Sequence, residues 1–360
     1  MSNLPPSGEI PRGAIRFNTD SNKPELWDGS QWAEFQLSTP NLGRSVDTEP
    51  GARGLFAGGY QPGAYQNDID YINIASTGNT QDFGTLNNAT TTGGGVGSRT
   101  RALFGGGYIQ PSPNALAQID TVVFSSTGNA SDFGDLSLNH FRKGTAGNAT
   151  RGLFAGGGNP GVTDAQIDYV TIAATGEAKD FGDLTQMRSR FAGAGSPTRS
   201  VFAGGQTGPS PADVYRDNID FVNTPTLGNA QDFGNLTRTK SWTAACSNPT
   251  RMLISGGAPG PSPVTSAVSE MEYITISTTG NATMFGDLDK VVDTGAFAGS
   301  GLASSTRGVF NTGLFKNPGT TYDNTIYYVE ISTQGEAIDF GDLDGKRYGV
   351  QTCSNAHGGL

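Results

Sequence analysis

The sequence predicts an all-β chain: a six-bladed β-propeller over residues 51–360, preceded by a small β-hairpin module over residues 1–50. Three observations carry that prediction. A strand-like run opening with arginine and ending in small residues returns six times, as RGLFAGG from Arg53, RALFGGG from Arg101, RGLFAGG from Arg151, RSVFAGG from Arg199, RMLISGG from Arg251 and RGVFNTG from Arg307. The arginines stand 48 to 56 residues apart, the spacing of one four-stranded propeller blade at about 40–50 residues per repeat. Finally, each run is followed by the same three pieces: an apolar segment such as Ile167 to Ile172, then TGN or TGE, then DFGDL or a variant centred on Phe83, Phe133, Phe181, Phe233, Phe285 and Phe340.

Each element of a repeat has its reason. A small-residue stretch such as TTTGGGVGS, RFAGAGS or SWTAACS suits the innermost strand, because blades converge on the axis and leave least room there. The LFAGG run is the second strand. It lacks clean alternation because both faces of a blade pack on neighbouring blades. The IDYV segment is the third strand and DFGDL the fourth, its phenylalanine a buried anchor worth roughly 3–5 kcal/mol on truncation. Between them the TGN turn is expected to supply Gly and Asn for the positive φ values of a tight hairpin. The aspartates before the phenylalanine, Asp82, Asp132, Asp180, Asp232 and Asp339, are expected to accept backbone hydrogen bonds or to pair with a repeat arginine. The strand-three acids Asp70, Asp120, Asp168 and Asp220 read as solvated or hydrogen-bonded repeat features.

The end of the chain closes the ring. Residues 346–354 copy the strand-one pattern, with no complete repeat after them, whereas the first repeat has only a weak strand-one candidate of its own, residues 44–48. Residues 346–354 are therefore expected to complete blade one beside residues 53–86, removing the exposed sheet edges.

Residues 13–35 alternate apolar and polar residues in two runs around DSNKP, with a second turn at Asp28-Gly29, which reads as a β-hairpin module. Phe17, Trp27 and Trp32 are many aromatics for so small a piece, and imply stabilisation by docking or oligomerisation.

Composition bounds the function. Glycine, 53 of 360 residues, is about twice ordinary usage, but recurs at fixed repeat positions rather than as a linker. A net charge of -10 argues against tracking nucleic-acid phosphates. No secretory signal pattern opens the chain, and no span approaches the length of a membrane helix, so neither export by a leader nor membrane insertion is expected. Cys246 and Cys353 occupy matching places in two repeats, AACSN and QTCSN. Equivalent positions in different blades are too far apart to bridge, so two free buried thiols are expected.

The diglycine after an apolar strand, the aromatics of strands three and four and the L-x-x-x-R opening of strand one together resemble the kelch and galactose oxidase propellers over residues 53–354. Two departures stand out: DFGDL has phenylalanine where kelch repeats commonly have tryptophan, and blade six has Asn311-Thr312-Gly313 for the diglycine. The segment AIRFNTDSNKPELWDGSQW resembles a short module recurrent in structural proteins of tailed phages, particularly marine and cyanobacterial phages. That resemblance implies a virion protein, of tail fibre, tail or other surface, attached through residues 1–50 to other virion proteins, and a homo-oligomer in that setting is the corresponding expectation for its assembly.

Catalytic readings are weak. The galactose oxidase resemblance invites copper, but only His140 and His357 are available, at non-equivalent repeat positions, and imidazole supply limits such sites. The repeated DFG comes without the phosphate loop or catalytic HRD segment of a kinase. Neither a cofactor nor a metal is expected, and a binding protein is preferred over two alternatives, a glycan-cleaving surface enzyme and a head decoration protein. The binding face follows from connectivity. Successive loops of a meander emerge on alternate sides, so loops two-to-three and four-to-one share a face, opposite the uniform TGN turns. The variable two-to-three loops hold Tyr60, Tyr65, Tyr108, Tyr215, Arg216, Phe315, Lys316 and Tyr322. Aromatic and arginine side chains are the usual anchors, and tyrosine stacks on sugars, so a host surface glycan or protein is the expected ligand.

Overall fold

The computed structural model describes residues 10–18, 23–34, 52–111, 114–159, 162–208, 214–260, 267–288, 296–297, 300–316 and 320–360, with residues 18, 23–24, 33–34, 296–297, 314–316 and 320–321 as backbone only. The chain falls into two compact units, residues 1–48 and 49–360. The first holds a three-stranded antiparallel sheet of Ile15–Asn18, Lys23–Trp27 and Trp32–Glu34, with Ile15 opposite Leu26 and Trp27 opposite Trp32. The third strand exists because Asp28 closes a turn: its Oδ1 accepts the backbone N–H groups of Ser30 at 2.7 Å and Gln31 at 2.8 Å, and Gly29 takes the positive φ of 102° that glycine adopts without strain.

The second unit is a six-bladed propeller of antiparallel four-stranded sheets. Blade two shows the plan: Gly94–Gly97 innermost, then Arg101–Gly105, Gln118–Val123 and Ser131–Asp135 outermost. Blades three to six repeat it from Gly144, Ala192, Ala244 and Ser300. In blade one the inner strand is Gln351–Ser354, paired with Arg53–Ala57 so that Ser354 lies opposite Gly54 and Gln351 opposite Ala57. The expected closure by the last strand is therefore how the ring is joined, and the six inner strands neighbour one another in an unbroken circle. The earlier strand-one candidate, residues 44–48, lies outside the described residues.

The core sits between blades. Six apolar clusters each draw on two adjacent blades; the one between blades one and two joins Leu55, Ile69 and Phe83 to Phe104, Val122 and Phe124. All six DFG phenylalanines are buried, and each of Cys246 and Cys353 is a free buried thiol.

On one face the TGN turns meet the expectation only in part. Gly78, Gly128, Gly176 and Gly228 take positive φ of 147° to 156°, but none of the asparagines does. Instead Asn129 Oδ1 accepts the backbone N–H of Thr85 in the preceding blade at 3.2 Å, and Asn79 does the same for Asp342 at 3.0 Å. This explains why glutamate can replace it: Glu177 Oε2 accepts from Asp135 N at 3.1 Å and Glu336 from Asp287 N at 3.1 Å. The position needs a side-chain oxygen acceptor, not a left-handed backbone. The glycine of DFG lets this contact form, since a Cβ on Gly84 would lie 2.3 Å from Gly128 O.

The repeat arginines also correct the sequence reading. They do not pair with the DFG aspartates, which are exposed; the other expectation, a backbone hydrogen bond, holds at Asp339, whose Oδ1 accepts from Gly341 N at 3.1 Å. Arg53 Nη1 donates to Phe124 O at 2.6 Å in the next blade and Arg307 closes the circle by donating to Ile74 O at 3.2 Å. The other four arginines make the equivalent bonds to Ile172, Thr224, Ile276 and Ile331. Five of the guanidiniums stack on the strand-three ring, as Arg251 does 4.4 Å from the Tyr273 centroid. Blade two has Thr121 there, and Arg101 stands 6.0 Å from Phe133 instead.

Candidate ligand-binding face

The opposite face is built by the connectors from strand four of one blade to strand one of the next. Each starts from a DFGDL-type leucine, and the fourth, fifth and sixth residues after it have separate structural tasks. In blades one, four and five the fourth points inward to the strand-three acid, whereas in blade three the fourth is His140, 3.9 Å from Asp164, and Ser137 holds the acid Asp168. Arg188 Nη2 meets Asp220 Oδ2 at 2.8 Å, Lys240 Nζ meets Glu272 Oε1 at 2.5 Å, and Arg347 pairs with Asp70, all with side chains nearly inaccessible. The strand-three acids are thus buried rather than solvated. Burial pulls the Arg188 guanidinium below the usual arginine range, opposed by Asp220. Where the fourth residue is Thr90, the acid Asp120 is held by Asn87 instead, through its backbone N–H at 2.8 Å and Nδ2 at 2.7 Å. In blade six the sequence has Val292, and Tyr327 occupies the acid's place opposite Phe310: cation and acid are lost together.

The fifth residue bridges to the two-to-three hairpin of the following blade. Tyr348 pairs with Tyr60, Thr91 with Tyr108, Phe141 with Gly158, Ser189 with Gln206 and Ser241 with Ala258. These bridges put the two loop families side by side.

The sixth residue rings the axis. Thr92, Arg142, Arg190, Trp242 and Gly349 all have φ between 57° and 65°. Their backbones join head to tail: Thr92 N–H donates to Gly349 O at 2.7 Å, Arg142 to Thr92 at 2.6 Å, Arg190 to Arg142 at 2.9 Å and Trp242 to Arg190 at 2.7 Å. Left-handed backbone costs a non-glycine residue roughly 1–2 kcal/mol, so four side chains are held here against their local preference. Together with Gly93, Phe191 and neighbouring strand-one residues they line a mouth cavity of about 80 Å³. Below it the strand-one residues surround an axial cavity of about 150 Å³. At its far side His357 Nε2 lies 2.8 Å from Gly97 O, and Gly358 N–H donates to Ser247 O at 2.8 Å.

Aromatic rings form a continuous arc along one side of this mouth. Tyr322 lies 5.9 Å from Tyr348, Tyr348 5.4 Å from Tyr60, Tyr60 5.5 Å from Tyr65, Tyr65 6.0 Å from Tyr108 and Tyr108 4.7 Å from Phe141. Arg142 then stacks over Phe141 at 4.6 Å and over Trp242 at 4.9 Å, and Arg190 over the same indole at 4.5 Å. Edge and tilted pairs of this kind hold one another by about 0.5–1.5 kcal/mol each beyond burial. The tyrosines remain half-buried, so part of each ring faces solvent. Burial, then the neighbouring hydroxyls of Tyr322, Tyr60 and Tyr65, push the Tyr348 pKa up to about 12; the phenol keeps its proton at neutral pH and can donate as well as accept.

Of the residues the sequence singled out, the fold gathers Tyr60, Tyr65, Tyr108 and Tyr322 into one arc. Tyr215 turns inward, only 6% exposed, while its neighbour Val214 is 50% exposed. Arg216 serves its own hairpin, donating from Nη2 to Thr207 Oγ1 at 3.2 Å. Phe315 and Lys316 lie in the hairpin strand Leu314–Lys316, and their side chains are outside the described residues. In the N-terminal unit Trp27 is buried and lies 5.5 Å from Trp32, on which Arg16 stacks at 4.3 Å, while Phe17 is 59% exposed beside exposed Ile15. Sequence reasoning missed Tyr348, Phe141, Arg142, Arg190 and Trp242. The signal was their fixed distance from the leucine, where residue type varies between repeats that are otherwise alike. Among the described residues no three His, Cys, Asp or Glu side chains converge as a metal site. No protein-family model matches the chain, and no curated protein is significantly similar to it.

Proposed function

We propose that this protein is a surface component of a tailed-phage virion, in a tail fibre or other tail-associated position, attached through residues 1–50 and binding a host saccharide through the mouth face of its propeller. The observation that carries the binding reading is the arc of half-buried tyrosines from Tyr322 to Tyr108. Half-buried rings fixed against one another in edge and tilted pairs offer partly exposed surfaces on which pyranose rings can stack at low entropic cost, with hydroxyls for orientation. The attachment reading rests on the resemblance of the N-terminal segment and on exposed Ile15 and Phe17, which suit burial against another virion protein.

The test is the double variant Tyr60→Ala, Tyr108→Ala. It should lose at least tenfold in affinity for host cells, and circular dichroism should show the propeller still folded. Binding equal to the parent would remove the face from consideration, and release of reducing sugar from host polysaccharide would favour a glycan-cleaving enzyme over a pure binder. A chain lacking residues 1–50 should fold but fail to join particles; normal occupancy on virions overturns the attachment role.

A further inference from the structure

We infer that the saccharide bound at the mouth is acidic, its carboxylate or sulfate group seated against Arg142 and Arg190. This rests on the binding reading above and adds the charge of the ligand. In a chain where 33 acids outnumber 23 lysines and arginines, the described lining of the mouth cavity contains Arg142, Arg190 and Lys143 and no carboxylate. Lys143 is committed elsewhere, its Nζ donating to Gly156 O at 3.3 Å. The two arginines share one indole, with guanidinium carbons 4.9 and 4.5 Å from the Trp242 centroid. Arg190 is steadied by Gln206, whose Oε1 accepts from Nη1 at 2.7 Å. Arg142 Nε is buried without an acceptor. Desolvation, then repulsion from Arg190, push the Arg142 pKa down to about 9, which is what two like charges held together beneath aromatic rings should do.

Cation–π contact offsets part of this cost, but an oxyanion offsets more, because a guanidinium presents paired donors that match two oxygens of a planar carboxylate or of a tetrahedral sulfate. Left-handed backbone aims Arg142 and Arg190 at the mouth, and stacking on Trp242, with the Gln206 hydrogen bond to Arg190, holds both guanidiniums in place before any ligand arrives. Tyr108 and Tyr65, next in the arc beyond Phe141, lie where the sugar ring carrying that acid would stack.

The full chain is titrated calorimetrically against matched pairs, oligogalacturonate with its neutral methyl ester and dextran sulfate with dextran. The acidic member of at least one pair should bind tenfold or more tightly than its neutral counterpart, and the advantage should shrink as salt is raised. Arg142→Asn, chosen because asparagine tolerates left-handed backbone, should erase that advantage, and Arg142→Lys should restore part of it; Arg190→Asn provides the same test at the second cation. Equal affinity for acidic and neutral members, or an acid preference unchanged in both asparagine variants, overturns the inference and leaves saccharide binding standing. A chain that binds no member of either pair fails on saccharide binding, and the charge assignment falls with it.

Discussion

On the face with the TGN turns, each of six arginines reaches a carbonyl of the next blade; on the opposite face, equivalent positions hold threonine, arginine, arginine, tryptophan and glycine. Both faces use the same backbone plan, and on both, hydrogen bonds join successive blades among the described residues. The first repeats its side chains because every blade must dock on its neighbour in the same way. The second repeats only its backbone, through the left-handed ring, and lets the side chains differ. In a molecule made of copies, uniformity marks what closes the ring and departure from uniformity marks what is free to meet a ligand.

The comparison breaks most severely if closure itself is removed. Deleting residues 346–360 takes away both the inner strand of blade one and Arg347, leaving an open edge and a buried Asp70 without its cation. The truncated chain should aggregate or lose its cooperative melt, as read by light scattering and calorimetry. A monomer melting like the parent would show that the ring does not depend on its last strand.

A smaller effect is expected under the mouth face. Arg188→Met strands Asp220 in the core and should cost about 3–5 kcal/mol in denaturant unfolding. Replacing the pair as Arg188→Val with Asp220→Tyr, the combination that blade six carries as Val292 and Tyr327, should recover much of that loss. If single and double variants unfold alike, the pairing of cation and acid across repeats has no energetic meaning.

The smallest effect sharpens the contrast between the faces. Asn129→Ala removes one acceptor for Thr85 N, and should lower stability by about 1 kcal/mol without changing ligand affinity. A loss of binding in this variant would mean that the uniform face takes part in recognition.

The strands and the joining of blade one were legible because repetition exposes them: six copies of one pattern and an unmatched fragment leave little choice of arrangement. The ion pairs were not, because Arg188 and Asp220 lie in separate segments and each alone reads as a surface residue. The TGN asparagine was misread for a related reason. Its partner is in the preceding blade, and glutamate in two copies was the available hint that an acceptor was needed. Tyr215 was misplaced by ignoring the period of two in its hairpin, which sends Val214 out and Tyr215 in. The shared placement of Tyr60, Tyr65, Tyr108 and Tyr322 was legible from loop connectivity, but the connector half of the mouth escaped because only the tertiary fold sets Tyr348 beside Tyr60.

Joining Gly54 to Ser354 has a consequence in time. The two residues are 300 positions apart (354 minus 54), so at about 5–20 residues per second a ribosome finishes the second roughly 15–60 s after the first. Throughout that interval the nascent chain holds up to five whole blades and one that lacks its inner strand. Such a chain exposes a strand edge able to capture a neighbour on the same polysome, and completion of the domain has to wait for the last strand to be released.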